Sequence, residues 1–311
     1  MYEAAAERDW PRMDPPNVLW FFGAFAIELA VYGLISTITD SQDGLWRLLT
    51  AVGFSVAFAA IAAALLRRFW WVAGGLAAAL AVATFPAVAV GLLQLVHVWP
   101  EGDLVEPFGD FSGSWFGVAI ATAVVGLIAF ALTRFPFVLA VTIAALVIGS
   151  QLLVAGLTDD VRGDDRATMA LILAALLVVA GVFLDVFGRR RDAFWFHVFG
   201  WSTAAAALIW FAFEPNSDHD YGWVPMLALG LALVVIAGPI RRATWAVYGV
   251  LAVYAAVAHY LIASLDENRW PFALLLLALG LAIFVAGMLT HRYGKAWAQR
   301  FVRRPPPELS A

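Results

Sequence analysis

Long apolar stretches separated by short polar turns run through the whole chain. From Met226, an apolar run (LALGLALVVIAG) closes at Pro239-Ile240-Arg241-Arg242, and a second run follows to Leu265. The second run stops at the acidic pair Asp266-Glu267, so the two form a helical hairpin with arginines at its tip and carboxylates at its mouth. About 20 residues at helical rise cross the hydrocarbon core of a bilayer, so runs of this length predict transmembrane helices.

The same pattern gives ten expected spans, at 17–38, 45–66, 69–98, 115–132, 135–157, 169–187, 193–213, two in the 226–265 hairpin, and 270–290. The expected fold is an all-α polytopic membrane bundle of about ten helices, arranged as five pseudo-repeated hairpins. Two features carry the repeat. LALGLA occurs at Leu227–Ala232 and again at Leu277–Ala282, and an aromatic residue follows each internal arginine turn (Trp70-Trp71, Phe135, Phe194-Trp195, Trp245). The domain reading is a short N-terminal segment over 1–16, a helical membrane domain over 17–291 and a basic tail over 292–311.

Composition agrees with the pattern: 63% of the 311 residues are hydrophobic and 14% are charged, where a soluble domain carries about 25% charged residues. The placement of charge is more informative than the net value of −4. Fifteen of the nineteen basic residues fall on one side of the alternation, in the N-terminal segment, the arginine turns and the tail. Short Lys/Arg-rich loops stay in the cytoplasm, which predicts an inner (plasma) membrane protein of bacterial type with both termini cytoplasmic. With no cysteine, disulfides, thiol catalysis and thiolate metal sites are excluded. Basic residues are confined to membrane edges, so nucleic acid is not an expected partner. The opening MYEAAAERDW lacks the form of a cleaved signal, so the first span is expected to be retained.

Within this apolar background a few polar side chains mark candidate chemistry. Glu28 sits in the middle of the first span, where a carboxylate is expensive and points to a substrate or ion site. Tyr32 and Ser36 follow at i+4 and i+8, on the same helix face. Gln94 and His97, Ser150 and Gln151, and His259 with Tyr260 fall in the outer third of their spans. Their convergence with Glu28 would form an outward-facing polar cavity; their alternative role is to join helices by separate hydrogen bonds. His97 and His259 would also serve as axial ligands of a b-type haem if they met, although no haem motif surrounds either. Asp185 is expected beside Arg189 as an interfacial ion pair.

The tail places Tyr293, Trp297 and Phe301 at four-residue spacing among Arg292, Lys295, Arg300, Arg303 and Arg304. That pattern predicts an amphipathic helix on the bilayer surface, with its cations on anionic lipid phosphates. The function expected from these features is a transporter or channel-like protein for a small molecule, ion or lipid. Alternatives are a non-catalytic scaffold or subunit, which would need a membrane-protein partner or a second copy, and a membrane-embedded enzyme acting on lipid-linked substrates with His97 or His259 as acid or base. No nucleophile–base pair or metal-protease signature is present to support the enzyme.

Overall fold

In hydrocarbon no water is available to satisfy a backbone N–H or C=O, so each apolar run must close its hydrogen bonds internally as a helix. The computed structural model describes residues 15–39, 44–98, 113–157, 162–213, 222–240 and 242–264, and these form nine helices. They are α1 (Pro15–Thr39), α2 (Gly44–Arg67), α3 (Trp71–Leu95), α4 (Gly113–Thr133), α5 (Phe137–Leu157), α6 (Gly163–Val186), α7 (Arg190–Ala212), α8 (Trp223–Ile240) and α9 (Ala243–Ser264). Eight are long and apolar enough to cross a membrane, and α8 contributes a shorter apolar stretch over Trp223–Gly238. The expected tenth span at 270–290 and the basic tail lie outside the described residues.

Two boundaries differ instructively from the hydropathy pattern. The sixth helix starts at Gly163 rather than Met169, because Asp164 and Asp165 occupy its first turn and favour the positive end of the helix dipole. The Asp165 carboxylate accepts the backbone N–H of Arg162 at 3.1 Å, which secures that end. The third helix continues through Pro86. Near this proline, hydroxyl groups donate to backbone carbonyls of α3: Thr84 to Leu80 at 2.8 Å, Ser55 of α2 to Ala81 at 3.2 Å, and Tyr32 of α1 to Ala83 at 2.8 Å. Side chains of neighbouring helices thus support the turn around the proline.

The chain forms two compact units, residues 1–199 and 200–311, with the division inside α7. In the first unit α3 is the hub, packing against α1, α2, α4 and α5. Its buried face is built from small residues, including Gly74, Gly75 and Ala77 to Ala79, which let the neighbouring backbones approach. Phe135, at the turn into α5, fills the space above Gly75 and joins Val72, Leu76 and Val138 in one core cluster. The strongest pairing in this unit is between α2 and α3, then between α4 and α5, and both pairs are joined by arginine turns. These two turns, and the one joining α6 and α7, each use a left-handed residue: Phe69 (φ 62°), Arg134 (φ 55°) and Gly188 (φ 76°). Glycine adopts that conformation without steric cost, while Phe69 and Arg134 are held in it by the turns they close.

The described part of the second unit is the end of α7 with α8 and α9, and α8 and α9 pack closely as a hairpin. Gly230 and Gly249 meet backbone to backbone where the two helices touch, leaving no room for a Cβ on either. The first of the two LALGLA segments therefore serves as a helix-contact motif.

Candidate functional site

Glu28 lies at mid-length on α1, and the geometry around it is the most informative in the molecule. It helps to line a partly open cavity of about 180 Å3. Phe21 and Phe25 of α1, Leu76 and Leu80 of α3, and Phe137 and Val141 of α5 form most of its wall. Phe25 is exposed at the rim, and Phe21 meets Phe137 edge-to-face at 5.2 Å between centroids. The sequence brings these helices together because α3 offers alanines at the crossing: Ala79 and Ala83 line the same cavity, and Ala79 is buried. Both Glu28 carboxylate oxygens are shielded from solvent and neither accepts a hydrogen bond. Thr84 is a polar neighbour, but its hydroxyl donates to the Leu80 carbonyl. A carboxyl group placed this way is set in carbon, where an ionised group without a partner costs several kcal/mol.

Within the first unit, Tyr32, Gln94 and Gln151, expected to share a cavity with Glu28, each join two helices through a separate hydrogen bond. Tyr32, one turn along α1, donates to the Ala83 carbonyl and ties α1 to α3. Ser36 closes on its own helix at Gly33. Gln94 lies 11 residues beyond Ala83 on α3, about 16 Å away at helical rise, and its Oε1 accepts from Arg47 of α2 at 2.9 Å. Arg47 is buried, so this contact pins the ends of α2 and α3. His97 is exposed just past the end of α3, in a left-handed conformation. Ser150 donates within α5 to Val147, and Gln151 donates to the Arg166 carbonyl of α6 at 3.5 Å. In the second unit, the His259 ring stacks on Trp223 with centroids 4.2 Å apart and planes 8° from parallel. Trp223 in turn meets Phe213 edge-to-face at 5.2 Å. His97 and His259, the two candidate haem ligands, belong to different compact units. The lipid-facing candidates Arg292, Lys295, Trp297, Arg300, Phe301, Arg303 and Arg304 lie outside the described residues.

The sequence reading missed one buried pair. His197 of α7 is completely buried, and its Nε2 lies 3.0 Å from Asp185 Oδ2 of α6. Arg189, expected beside Asp185, holds Asp192 at 2.7 Å and lies 5.7 Å from the centre of the Phe130 ring. Gly181 makes the room for the histidine, since a Cβ there would come within 2.8 Å of the His197 ring. The tight Gly188 turn was the available signal, because it forces the end of α6 and the start of α7 to run side by side. His197→Ala should lower stability by about 3 kcal/mol, through a cavity and a carboxylate left without this partner. Asp185→Asn keeps a hydrogen-bonding group and should cost about 1 kcal/mol. Thermal unfolding of the purified variants in detergent ranks the two; an equal effect would show that the contact with the histidine is not what matters.

Comparison with protein-family models, curated proteins and solved structures returns no match to this chain. The class is set by the fold itself: this is an α-helical, polytopic integral membrane protein.

Proposed function

We propose that this membrane protein is a transporter of a small molecule, with Glu28 as the group that couples substrate to proton movement. One observation supports the reading above the others: the Glu28 carboxyl, at mid-length of an apolar helix, lines an apolar cavity and accepts no hydrogen bond there. A carboxyl in hydrocarbon is neutralised by a proton or by a cation brought to it, and alternation between the two is the elementary step of exchange. The fifteen basic residues on one side of the alternation support a reading in which both termini face the cytoplasm of a bacterial-type cell and the basic tail rests on anionic lipid.

The test is reconstitution into liposomes that enclose a pH-sensitive dye, challenged with organic cations, inorganic ions and lipids in turn. Proton flux that depends on one substrate class and exceeds that of protein-free liposomes is the expected result. No flux with any class would overturn the reading. A rival reading, a non-catalytic subunit or scaffold, is favoured by the way Tyr32, Gln94 and Gln151 each join two helices. Isolation of a stoichiometric membrane partner, together with silence in the liposomes, would decide for it.

A further inference from the structure

The cavity beside Glu28 has a chemistry more specific than the transport reading requires. Its volume of about 180 Å3 is close to that of engineered apolar cavities of about 150 Å3, which take up a benzene molecule. Three phenylalanine rings, Phe21, Phe25 and Phe137, contribute to the wall, and the remaining lining side chains apart from Glu28 are leucine, alanine and valine. The site therefore offers one carboxyl group, aromatic faces and otherwise aliphatic carbon. A hydrated inorganic cation gains nothing from such a wall, because few oxygens replace its water. An anion is repelled by the carboxylate. A quaternary ammonium group is weakly hydrated, is attracted to aromatic faces and neutralises a carboxylate without needing a hydrogen bond from it.

We propose that the Glu28 cavity binds a small lipophilic monocation, an ammonium carrying one aromatic or short alkyl group, and that binding displaces the Glu28 proton. The proposal rests on the transport reading only for what happens after binding; occupancy of the site is a separate claim. The exchange balances: one cation enters, the carboxylic O–H releases its proton to water, and the net charge of the site stays at zero. The groups around the carboxyl permit this exchange. Tyr32 on the same helix gives its hydroxyl proton to Ala83, α3 presents Thr84 with its proton on Leu80, α5 presents Phe137 and Val141, and α2 meets α1 through Ala51, Phe54 and Phe58.

The probe is benzyltrimethylammonium, with neopentylbenzene as its neutral carbon isostere, titrated calorimetrically into the full-length protein in lipid nanodiscs. The cation should bind the wild type with release of up to one proton, read from the heats in two buffers of different ionisation enthalpy. Glu28→Gln should weaken cation binding at least tenfold and abolish the proton release. The same variant should leave neopentylbenzene binding within about twofold, which also shows that the cavity is intact. Equal binding of the cation by wild type and variant would overturn the proposal, as would no binding of the cation by the wild type. Cation binding without flux in liposomes would sustain the site and reject the transport reading, so the two failures are distinguishable.

Discussion

Glu28→Gln is expected to abolish proton-coupled flux in reconstituted liposomes while leaving the yield of folded protein unchanged. The amide matches the carboxyl in size, so the contacts of Phe21, Leu80 and Phe137 around the cavity persist. What disappears is the ability to lose a proton, and with it the alternation between two neutral states of the site. A charge at the bilayer centre costs about 3 kcal/mol on insertion scales, so the amide should leave stability unchanged or raised. Glu28→Asp separates chemistry from position: the carboxyl remains but is drawn back by one methylene, about 1.5 Å. Flux about tenfold below wild type is expected for that variant. Unaltered pH-dependent flux in Glu28→Gln would remove the residue from the mechanism.

Gly75→Leu is expected to eliminate the folded protein. A Cβ at this position would clash with the ring of Phe135, which is itself buried in the core cluster around α3. Overpacking a well-filled core costs about 1–3 kcal/mol for added methylenes that can be accommodated. Here the first added carbon meets an aromatic ring on a turn whose backbone is fixed by Arg134 and Pro136, so the cost is expected to exceed that range. With total stability of order 5–15 kcal/mol, little folded material should survive, as read by the monodisperse fraction in size-exclusion chromatography. The pair is also self-compensating. Phe135→Ala alone should cost about 3–5 kcal/mol through the cavity it leaves, and adding it to Gly75→Leu should restore folded protein. Gly117→Leu, at an exposed position with nothing near its Cβ, is the control and should be neutral within about 0.5 kcal/mol. A Gly75→Leu protein as well folded as this control would mean that α3 and Phe135 do not pack as described.

Eight of the nine described helices were legible because a run of carbon long enough to span a membrane has one solution, a helix, and the shorter apolar run of α8 follows the same rule. Their ends were less so: Asp164 and Asp165 look like loop to a hydropathy reading and are in fact the first turn of α6. Glu28 was legible from residue type alone, since a carboxyl within an apolar run is anomalous wherever it points. Which residues meet was not legible, for a physical reason. A span with carbon on every side has no amphipathic stripe, so its rotation about its own axis leaves little trace in the sequence. Gln94 and Gln151 fall at matching positions in their apolar runs and are expected from the sequence to share a cavity, but rotation sends Gln94 to Arg47 and Gln151 to the Arg166 carbonyl. His197 was missed on the same ground. Nothing local marks it, and its partner Asp185 belongs to the helix before the turn.

The dependence of α1 on α3 also sets an order of events during synthesis. The carbons that wall in Glu28 from the α3 side end at Ala83, which follows it in the chain by 55 residues. At a synthesis rate of about 5–20 residues per second, that is roughly 3–11 seconds. For that interval the first helix must enter the membrane with its carboxyl unsheltered and its Tyr32 hydroxyl without the Ala83 carbonyl. A proton on Glu28 is the simplest passenger through that interval, so the chemistry proposed for the finished protein begins while the chain is still being made.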